Sequence, residues 1–369
     1  MTRYQLFRRR SDRGFSLVEI MVGMVIGMLG IIAMMQVFSL AEGQKRATTG
    51  GGDAQNSGAI ALYGLQRDIR QAGYGTSELR LIGCNVVLRT GVTLNVMAPL
   101  TINHASVPAG DTDTDTLLVV YGNTNGTTQG DGIIAASATA NTYPVQTPTS
   151  HNANDYVIAV PQVRPTPCNL NLMQVAGSYV GASNNSSLTL ASNDPALTTS
   201  LASMRNGTLY NLGQSPKVLA YAIRNSNLTV CDYLVNNCSA AGSTPDSTIW
   251  VPIASNIVSL RAQYGHDATT PMDGIVDLYD QTTPTTACGW VKTSAVRVVL
   301  VARNGLLEKT AVTTAAPVWA ATIAGSPTGS ASTPIVLTSN TNWQNYRYQI
   351  FQTVVPMRNV TWLGVQAGC

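Results

Sequence analysis

A junction of small, aromatic and acidic residues stands at the start of a long apolar run. Gly14 and Phe15 are adjacent, and Glu19 follows four residues after Phe15, with no further charge before residue 42. An unpaired carboxylate in hydrocarbon costs about 3 kcal/mol, so Glu19 needs a cationic partner. Cutting the chain between Gly14 and Phe15 would create one, because the new amine of Phe15 would lie four residues before Glu19 on the same helix face. The same pair can form between neighbouring helices, which would set their register during assembly in a membrane.

Six cysteines form a second group of reactive residues. They all lie beyond residue 80 and are Cys84, Cys168, Cys231, Cys238, Cys288 and Cys369. An even number suits up to three disulfides in an oxidising compartment, and the sequence leaves their pairing open. Cys231 and Cys238 are the easiest pair to join, because only six residues separate them. A zinc site would need paired C-x-x-C or Cys/His clusters, which the sequence lacks. We therefore expect disulfides and no free thiol.

Two acidic clusters have spacings that could bind calcium. Asp111, Asp113 and Asp115 have the alternating oxygen spacing of an EF-hand loop, but the turn glycine and the closing glutamate are missing. The second cluster has an Asp-Gly-x-x-Asp core, closer to the end of a calcium loop, and consists of Asp267, Asp273, Asp277 and Asp280. At both places a hydrogen-bonded turn is favoured over Ca²⁺, which is the one cofactor that the sequence suggests.

The sequence contains no pattern typical of an enzyme. G-x-x-x-x-G-K-[ST], H-E-x-x-H and G-x-S-x-G motifs are all absent. The three histidines, His104, His151 and His266, stand in polar stretches, and we expect each to be a solvated loop residue. We therefore predict a protein that is not an enzyme.

The apolar segment after the junction must position Glu19. Residues 20–41 carry no charge over 22 positions, and as a helix they would cover about 33 Å, enough to cross a bilayer. An ordinary secretory signal peptide is disfavoured, because the run is too long and no A-x-A-like cleavage site follows it. A plain membrane anchor fits the length but leaves the junction unexplained.

Helical periodicity resumes after residue 60. One apolar stripe at three- and four-residue spacing consists of Leu62, Leu65, Ile69 and Ala72. The residues that we assign to the opposite, exposed face are Arg67, Asp68, Arg70 and Gln71. We expect a helix over 15–73 that spans the membrane over 15–41. Three glycines at 50–52 lose about 3 kcal/mol of helix propensity, so we expect an interruption there.

From residue 74 onward, short apolar runs alternate with turn-rich clusters. This pattern predicts an α+β fold in which the long N-terminal helix is followed by a large antiparallel β-rich head over 74–369. Strands are predicted at 79–88, 116–121, 156–160, 217–224, 228–234, 296–303 and 347–355. Long loops are predicted at 122–155, 181–215 and 235–248. Alternating arginines in the strand at 296–303 indicate that it is half-buried.

The charge distribution argues against a nucleic-acid-binding protein. The net charge is +3, but residues 1–14 contain five arginines and one aspartate, a net +4, which leaves −1 for the remainder. Charged residues make up 11% of the chain, against roughly a quarter in ordinary soluble domains. A chain with few charges outside its first residues has no basic surface for nucleic acid and suits a surface-exposed β-rich protein.

The junction resembles the prepilin signal of type IV pilins and pseudopilins, which has a basic leader, a glycine, a phenylalanine and a glutamate at mature position five. The resemblance implies that residues 1–14 are a leader peptide and that a prepilin peptidase cuts after Gly14. It also implies methylation of Phe15 and retention of the apolar helix as the core of a polymer. The leader arginines then fit the cytoplasmic side of the inner membrane, with a single pass and the head in the periplasm.

Further motifs resemble the PilW family of minor pilins. They lie at 61–74, 263–277, 290–303 and 346–359, and include Gln263-Tyr264-Gly265 and Asp273-Gly274-Ile275-Val276-Asp277. The resemblance implies a minor pilin that helps to prime assembly in a complex at the pilus tip and becomes part of the extracellular pilus. Its implied partners are the major pilin, other minor pilins, a large tip adhesin and the prepilin peptidase.

Three alternatives stay open. A pseudopilin of a type II secretion system shares the same N-terminal signal. A membrane-anchored adhesin or receptor domain would use the loops of the head to bind a surface. An anchored hydrolase would need a nucleophile and a base that the sequence does not display.

Overall fold

A long helix opens the described part of the chain. The computed structural model describes residues 14–134, 139–181, 187–199, 204–322, 330–361, 363–366 and 368–369. Helix α1 covers Leu17–Gln71, 55 residues, close to the predicted 15–73. It continues through the glycines at 50–52, so the predicted interruption is wrong. Each glycine lowers helix propensity by only about 1 kcal/mol, and hydrogen-bonded turns on both sides propagate the helix through the three of them.

The chain divides into two compact units, Met1–Gly52 and Asp53–Cys369. We call the second unit the head. Within it, three residues of the predicted stripe, Leu65, Ile69 and Ala72, are each 0% exposed, and the fourth, Leu62, is partly buried against the same core. Asp68 is also buried, at 2% exposure, so its assignment to the exposed face is wrong. Position 68 lies three residues after Leu65 and four before Ala72, which places it on the stripe.

Seventeen strands and three short helices follow α1 in the described residues. The strands are β1 (Asn85–Arg89), β2 (Val92–Leu94), β3 (Leu100–Ile102), β4 (Leu117–Tyr121), β5 (Asp131–Gly132), β6 (Thr142–Pro144), β7 (Tyr156–Val160), β8 (Asn169–Gln174), β9 (Ser187–Thr189), β10 (Thr208–Gly213), β11 (Lys217–Arg224), β12 (Asn227–Asp232), β13 (Val251–Ser255), β14 (Ile257–His266), β15 (Leu278–Asp280), β16 (Thr293–Arg303) and β17 (Tyr348–Pro356). The helices are α2 (Pro195–Thr199), α3 (Ala287–Val291) and α4 (Arg358–Thr361), and 3₁₀ turns occupy Pro148–Ser150 and Trp343–Asn345.

Four sheets organise these strands. The first has the order β2-β1-β8-β7-β10-β5, the second β13-β12-β11-β4-β3 and the third β15-β14-β16-β17, while β6 pairs with β9. Neighbouring strands are antiparallel, except that β1 and β8 are parallel over residues 85–87 of β1. The α+β class with an antiparallel β-rich head is therefore confirmed.

The sheets are stacked, so their central strands are buried on both faces. On β4, Leu117 and Val119 join the core that contains the stripe of α1, whereas Leu118 and Val120 join the next core. β7 divides its side chains between the second core and a third in the same way. β16 is buried at ten of its eleven residues. It is not half-buried as predicted, because one face packs in the α1 core and the other packs in a fourth core with residues 316–321 and 335–337.

The seven predicted strands correspond to β1, β4, β7, β11, β12, β16 and β17, although β1 begins at Asn85 rather than at residue 79. The ten-residue strand β14 was not predicted. The predicted loops at 122–155 and 181–215 contain β5, β6, β9 and β10, so the loop prediction is wrong at those strands. The segment 235–248 consists of turns, as predicted. Residues 182–186 and 200–203, within the second predicted loop, lie outside the described residues.

Candidate functional site

The small–aromatic–acidic junction lies just outside α1. Gly14, Phe15 and Ser16 are not helical, and α1 begins at Leu17. The backbone N–H of Ser16 donates to Glu19 Oε2 at 3.3 Å. A serine before the first helical residue and a glutamate three positions later form the capping-box pattern, in which the glutamate satisfies an N–H that has no partner inside the helix. Sequence reasoning missed this role of Glu19, although the S-x-x-E spacing signals it.

The peptide bond between Gly14 and Phe15 lies in this exposed, non-helical stretch. Phe15 is 82% exposed, and Gly14 and Glu19 are exposed as well. A side chain built on Gly14 would meet nothing within 4 Å. Packing in the described chain therefore does not require glycine at position 14, so a requirement for it would come from an external partner such as a peptidase. Residues 1–13 of the predicted leader lie outside the described residues.

The first half of α1 exposes a continuous apolar surface. The large apolar side chains from residue 20 to residue 40 are 49–75% exposed. Among the helices of the described residues, α1 is the one that is long and apolar enough to cross a membrane. Such a surface is unstable in water and needs lipid or other apolar helices around it. Together with the junction, it forms the first part of the candidate site.

In the head, a buried carboxylate connects α1 to the second sheet. The hydroxyl of Tyr121 on β4 donates to Asp68 Oδ1 at 3.2 Å, and the hydroxyl of Tyr221 on β11 donates to Asp68 Oδ2. Arg67 Nε also donates to Asp68 Oδ1, at 3.0 Å. Burial raises the pKa of both tyrosine hydroxyls, and the negative charge of Asp68 raises it further, so both stay protonated and donate. These bonds fix the orientation of α1 residues 53–71 on the sheet.

The third sheet and the residues after it hold the last turns of α1. Gln66 Nε2 donates to Thr353 Oγ1 on β17 at 2.8 Å. Asn359 on α4 donates its Nδ2 to the carbonyl oxygens of Gln71 and Ala72, both at 3.0 Å. The last carbonyls of a helix have no partner within it, so Asn359 acts as a cap supplied from about 290 residues away in sequence.

Two family models match the chain. The prokaryotic N-terminal methylation motif matches residues 9–35, and the model described as type IV pilus-assembly protein W matches residues 220–359. The chain matches a PilW-family, prepilin-type pilin. The first range contains the junction and the start of the exposed apolar helix, and the second runs from β11 to Asn359. No curated protein and no solved structure matches the chain.

The PilW match supports a pilus-assembly protein, in a family that is generally structural rather than catalytic. Its range covers most of the second and third sheets, including the Tyr221 partner of Asp68 and the Asn359 cap. The part of the head between residues 76 and 219 lies outside both matches. It contains the strands of the first sheet and the β6–β9 pair.

The four aspartates of the second acidic cluster lie within the PilW range and form hydrogen-bonded turns. Asp267 Oδ2 accepts the backbone N–H groups of Asp273 and Gly274 at 2.8 and 2.7 Å. Asp277 accepts the N–H of Ala268 at 2.7 Å, and Asp280 Oδ1 lies 3.1 Å from His266 Nε2. Burial acts to raise the pKa of Asp267, but the hydrogen bonds from the Thr269 side chain and from the backbone N–H groups of Gly274, Thr269 and Asp273 lower it below its ordinary value. No group of three His, Cys, Asp or Glu side chains in the described residues is arranged to hold a metal ion.

The first acidic cluster also serves the fold. Asp111 accepts the N–H groups of Asn225 and Ser226, which form the two-residue turn between β11 and β12, at 3.0 and 2.8 Å. Asp115 is buried, and its Oδ1 pairs with Arg261 on β14 at 3.0 Å. The interpretation of this cluster as a turn before a strand is confirmed, because β4 begins at Leu117.

All six cysteines are paired. The disulfides are Cys84–Cys168, Cys231–Cys238 and Cys288–Cys369. The Cys231–Cys238 disulfide, which the sequence spacing favoured, joins the end of β12 to the following turns. Cys84–Cys168 joins the chain at the starts of β1 and β8 and lies outside the PilW range. Cys288–Cys369 connects α3 to the last residue of the sequence.

The histidines are not solvated loop residues as predicted. His104 is 5% exposed and His151 2% exposed. His151 Nε2 lies 3.3 Å from Asp131 Oδ2, and His266 lies on β14 beside Asp280. Polar neighbours in the sequence suggested exposure, but the stacked sheets cover these positions with distant segments.

Proposed function

We propose that this chain is a minor pilin of a type IV pilus, and that it helps to prime pilus assembly within an initiation complex at the tip. One combination of features carries the proposal. The chain has the small–aromatic–acidic junction at the N-terminus of an exposed apolar helix, and it also has a PilW-type segment in its head. The junction alone would fit any pilin or pseudopilin, whereas the PilW segment favours a pilus over a type II secretion system.

Maturation begins at the non-helical stretch before α1. A prepilin peptidase cuts after Gly14 on the cytoplasmic side of the inner membrane, and Phe15 is then methylated. The cut converts the amide nitrogen of Phe15 into an amine, which is a cation near the carboxylate of Glu19. The five arginines of residues 1–14 hold the leader in the cytoplasm, and the head folds in the periplasm, where its disulfides form.

Assembly follows from the exposed apolar helix. The capping bond to Ser16 uses Glu19 Oε2, and within the described residues Glu19 Oε1 accepts no bond. Oε1 is therefore available to the Phe15 amine of a neighbouring subunit. Apolar side chains of the two helices pack laterally while this ion pair sets their register. The heads then select the neighbours, which we propose to be the major pilin, other minor pilins and a large tip adhesin.

The experiment that tests this function is mass spectrometry of sheared pili. Trypsin should release a peptide covering residues 15–45, since no lysine or arginine lies between Phe15 and Lys45. We expect its N-terminus to be Phe15 carrying one methyl group. Recovery of the methylated peptide only from membranes, with none in pili and with copurifying secretion pseudopilins, would overturn the pilus assignment in favour of a secretion pseudopilin.

Glu19→Ala tests the assembly step separately from cleavage. The variant should be cleaved and should accumulate in the membrane, because removing the carboxylate makes insertion about 3 kcal/mol easier. Its incorporation into pili and its copurification with other pilins should fall. Glu42→Ala is the matched control, since Glu42 is on the same helix but outside the apolar run and pairs with Arg46 at 3.3 Å. Equal incorporation of the two variants would show that Glu19 has no role between subunits.

A further inference from the structure

A small cleft lies in the head where α1 ends. Its volume is about 120 Å³, and its walls include Tyr74, Ser77, Glu78, Gln129, Asn359 and Leu363. A cavity of this size holds one small group rather than a folded ligand. The cleft also lies beside the last carbonyls of α1, which carry the partial negative charge of a helix C-terminus.

In the cleft, the Ser77 hydroxyl has no hydrogen-bond partner and the Glu78 carboxylate has no ion-pair partner within the described residues. Ser77 is 6% exposed, and its Oγ has no hydrogen-bond partner within the described residues. The Glu78 carboxylate forms no ion pair within 4 Å among the described side chains. Arg80, whose charge acts on the Glu78 carboxylate, donates instead to the carbonyl of Gln162 and to the hydroxyl of Thr208. Buried polar groups are nearly always satisfied in folded proteins, so the buried Ser77 hydroxyl has a hydrogen-bonding position to fill, and the half-buried Glu78 carboxylate is open to a cation.

We propose that this cleft binds the primary ammonium group of a lysine side chain on a neighbouring pilin-type subunit. The inference rests on the proposed function for the source of the lysine. An ammonium has three donors and no acceptor, and the cleft offers the carboxylate of Glu78, the hydroxyl of Ser77 and the amide oxygen of Asn359. Tyr74 and Leu363 supply an apolar wall for the methylene stem of the lysine.

The raised pKa of Glu78 agrees with a carboxylate that has no cation bound to it in the free head. Burial raises the pKa of Glu78, and Arg80 only partly opposes this effect. A bound ammonium would lower the pKa of Glu78 toward its ordinary value. Asn359 contributes both to the cap of α1 and to the cleft. Its Nδ2 caps α1, while its Oδ1 accepts no bond within the described residues.

The chemistry can be tested on the full-length protein in detergent. A carbodiimide activates carboxylates, and an amine that is already bound beside one is converted into an amide. With Nα-acetyl-lysine N-methylamide as the probe, we expect labelling of Glu78 to exceed labelling of Glu308 roughly tenfold, a ratio that reflects occupancy of a binding site. Glu308 is the matched control residue, because its carboxylate already pairs with Arg347.

Variants and a competitor define the outcome. Ser77→Ala should lower the labelling of Glu78 severalfold while leaving that of Glu308 unchanged. The competitor is Nα,Nε-diacetyl-lysine N-methylamide, which has the same shape but no positive charge. It should not protect Glu78 from labelling. Equal labelling of Glu78 and Glu308, or protection of Glu78 by the uncharged competitor, would overturn the ammonium site.

The source of the lysine is tested in assembled pili. Carbodiimide treatment of pili should join Glu78 to a lysine of another pilin, and Glu78→Gln should abolish that cross-link, whereas Glu308→Gln should not. Pili that contain the methylated Phe15 peptide but lack the cross-link would refute the neighbouring lysine and leave the proposed function intact. Labelling of Glu78 in the purified protein, with the chain absent from pili, would instead refute the proposed function and the pilin as the source.

Discussion

Replacing Gly58 by alanine should leave the head less stable than the same replacement at Gly64, although both glycines lie on α1. Gly58 lies on α1, directly opposite the ring of Phe351 on β17. An added Cβ would stand 2.1 Å from Phe351 Cε2 and 2.4 Å from Cδ2. Carbon atoms in contact are normally about 3.5–4.0 Å apart, so the ring or the helix must move by more than an ångström. Gly64, on the same helix, has nothing within 4 Å of its added Cβ.

The expected magnitude comes from comparing Gly58→Ala with Gly64→Ala. Both variants gain about 1 kcal/mol of helix propensity. Gly58→Ala also incurs a steric penalty of about 1–3 kcal/mol, typical of overpacking in a core. Since the propensity gain is common to both, the difference between their free energies of unfolding is the steric penalty alone. Gly64→Ala should therefore be more stable than the parent, and Gly58→Ala should be less stable than Gly64→Ala by about 1–3 kcal/mol.

Thermal unfolding of the full chain in detergent, followed by tryptophan fluorescence, measures this difference. All five tryptophans lie beyond residue 249, so the signal reports on the head. A steric penalty of 1 kcal/mol should separate the two Tm values by about 2 °C. Phe351→Leu removes the ring, and in that background the gap should shrink. A Gly58→Ala variant as stable as Gly64→Ala would refute the close packing of α1 against β17.

The other predictions concern the disulfides, the cap of α1 and Glu78. Alkylation without reduction should label no cysteine, and reduction should expose six thiols by mass; thiols found before reduction would contradict the pairing. Asn359→Ala should lower the Tm by about 2 °C, because α1 carbonyls lose a donor worth about 1 kcal/mol; an unchanged Tm would mean that water replaces the cap. Glu78→Gln should raise the Tm at neutral pH but not below pH 4.5, the ordinary glutamate pKa. Burial raises the folded-state pKa of Glu78, so stability falls as pH rises through that value; a Tm gain at every pH would refute this cause.

The sequence predicted the parts of the fold that local patterns encode. Apolar runs predicted the membrane-length part of α1, and three- and four-residue spacing predicted its buried stripe. The short distance between Cys231 and Cys238 favoured the one disulfide that is local in sequence. The start of α1 could also have been predicted, since Ser16 and Glu19 have the capping-box spacing.

Sequence reasoning failed where polar side chains are satisfied by distant partners. Asp68 was assigned to the surface because it is charged, but tyrosines on β4 and β11 make its burial favourable. β14 was missed because Arg261 and Gln263 interrupt its apolar residues. In the fold, Asp115 pairs with Arg261, and residues 331 and 333 accept bonds from Gln263 Nε2, both at 2.9 Å. No local spacing reveals such partners.

The Asn359 cap and the contact between Gln66 and Thr353 have a consequence for the order in which the chain folds. Each joins α1 to residues that lie about 290 positions later in the chain. The head therefore cannot complete the packing around α1 until almost the entire polypeptide has been synthesised. Contacts between such distant residues form slowly, because a long loop must close first. During that interval the stripe at Leu65 and Ile69 is uncovered, although the apolar first half of α1 is already complete. In the membrane-anchored pilin that we propose, the anchor would be in place before the head folds, and the uncovered apolar stripe would stay at the membrane, away from other unfolded chains.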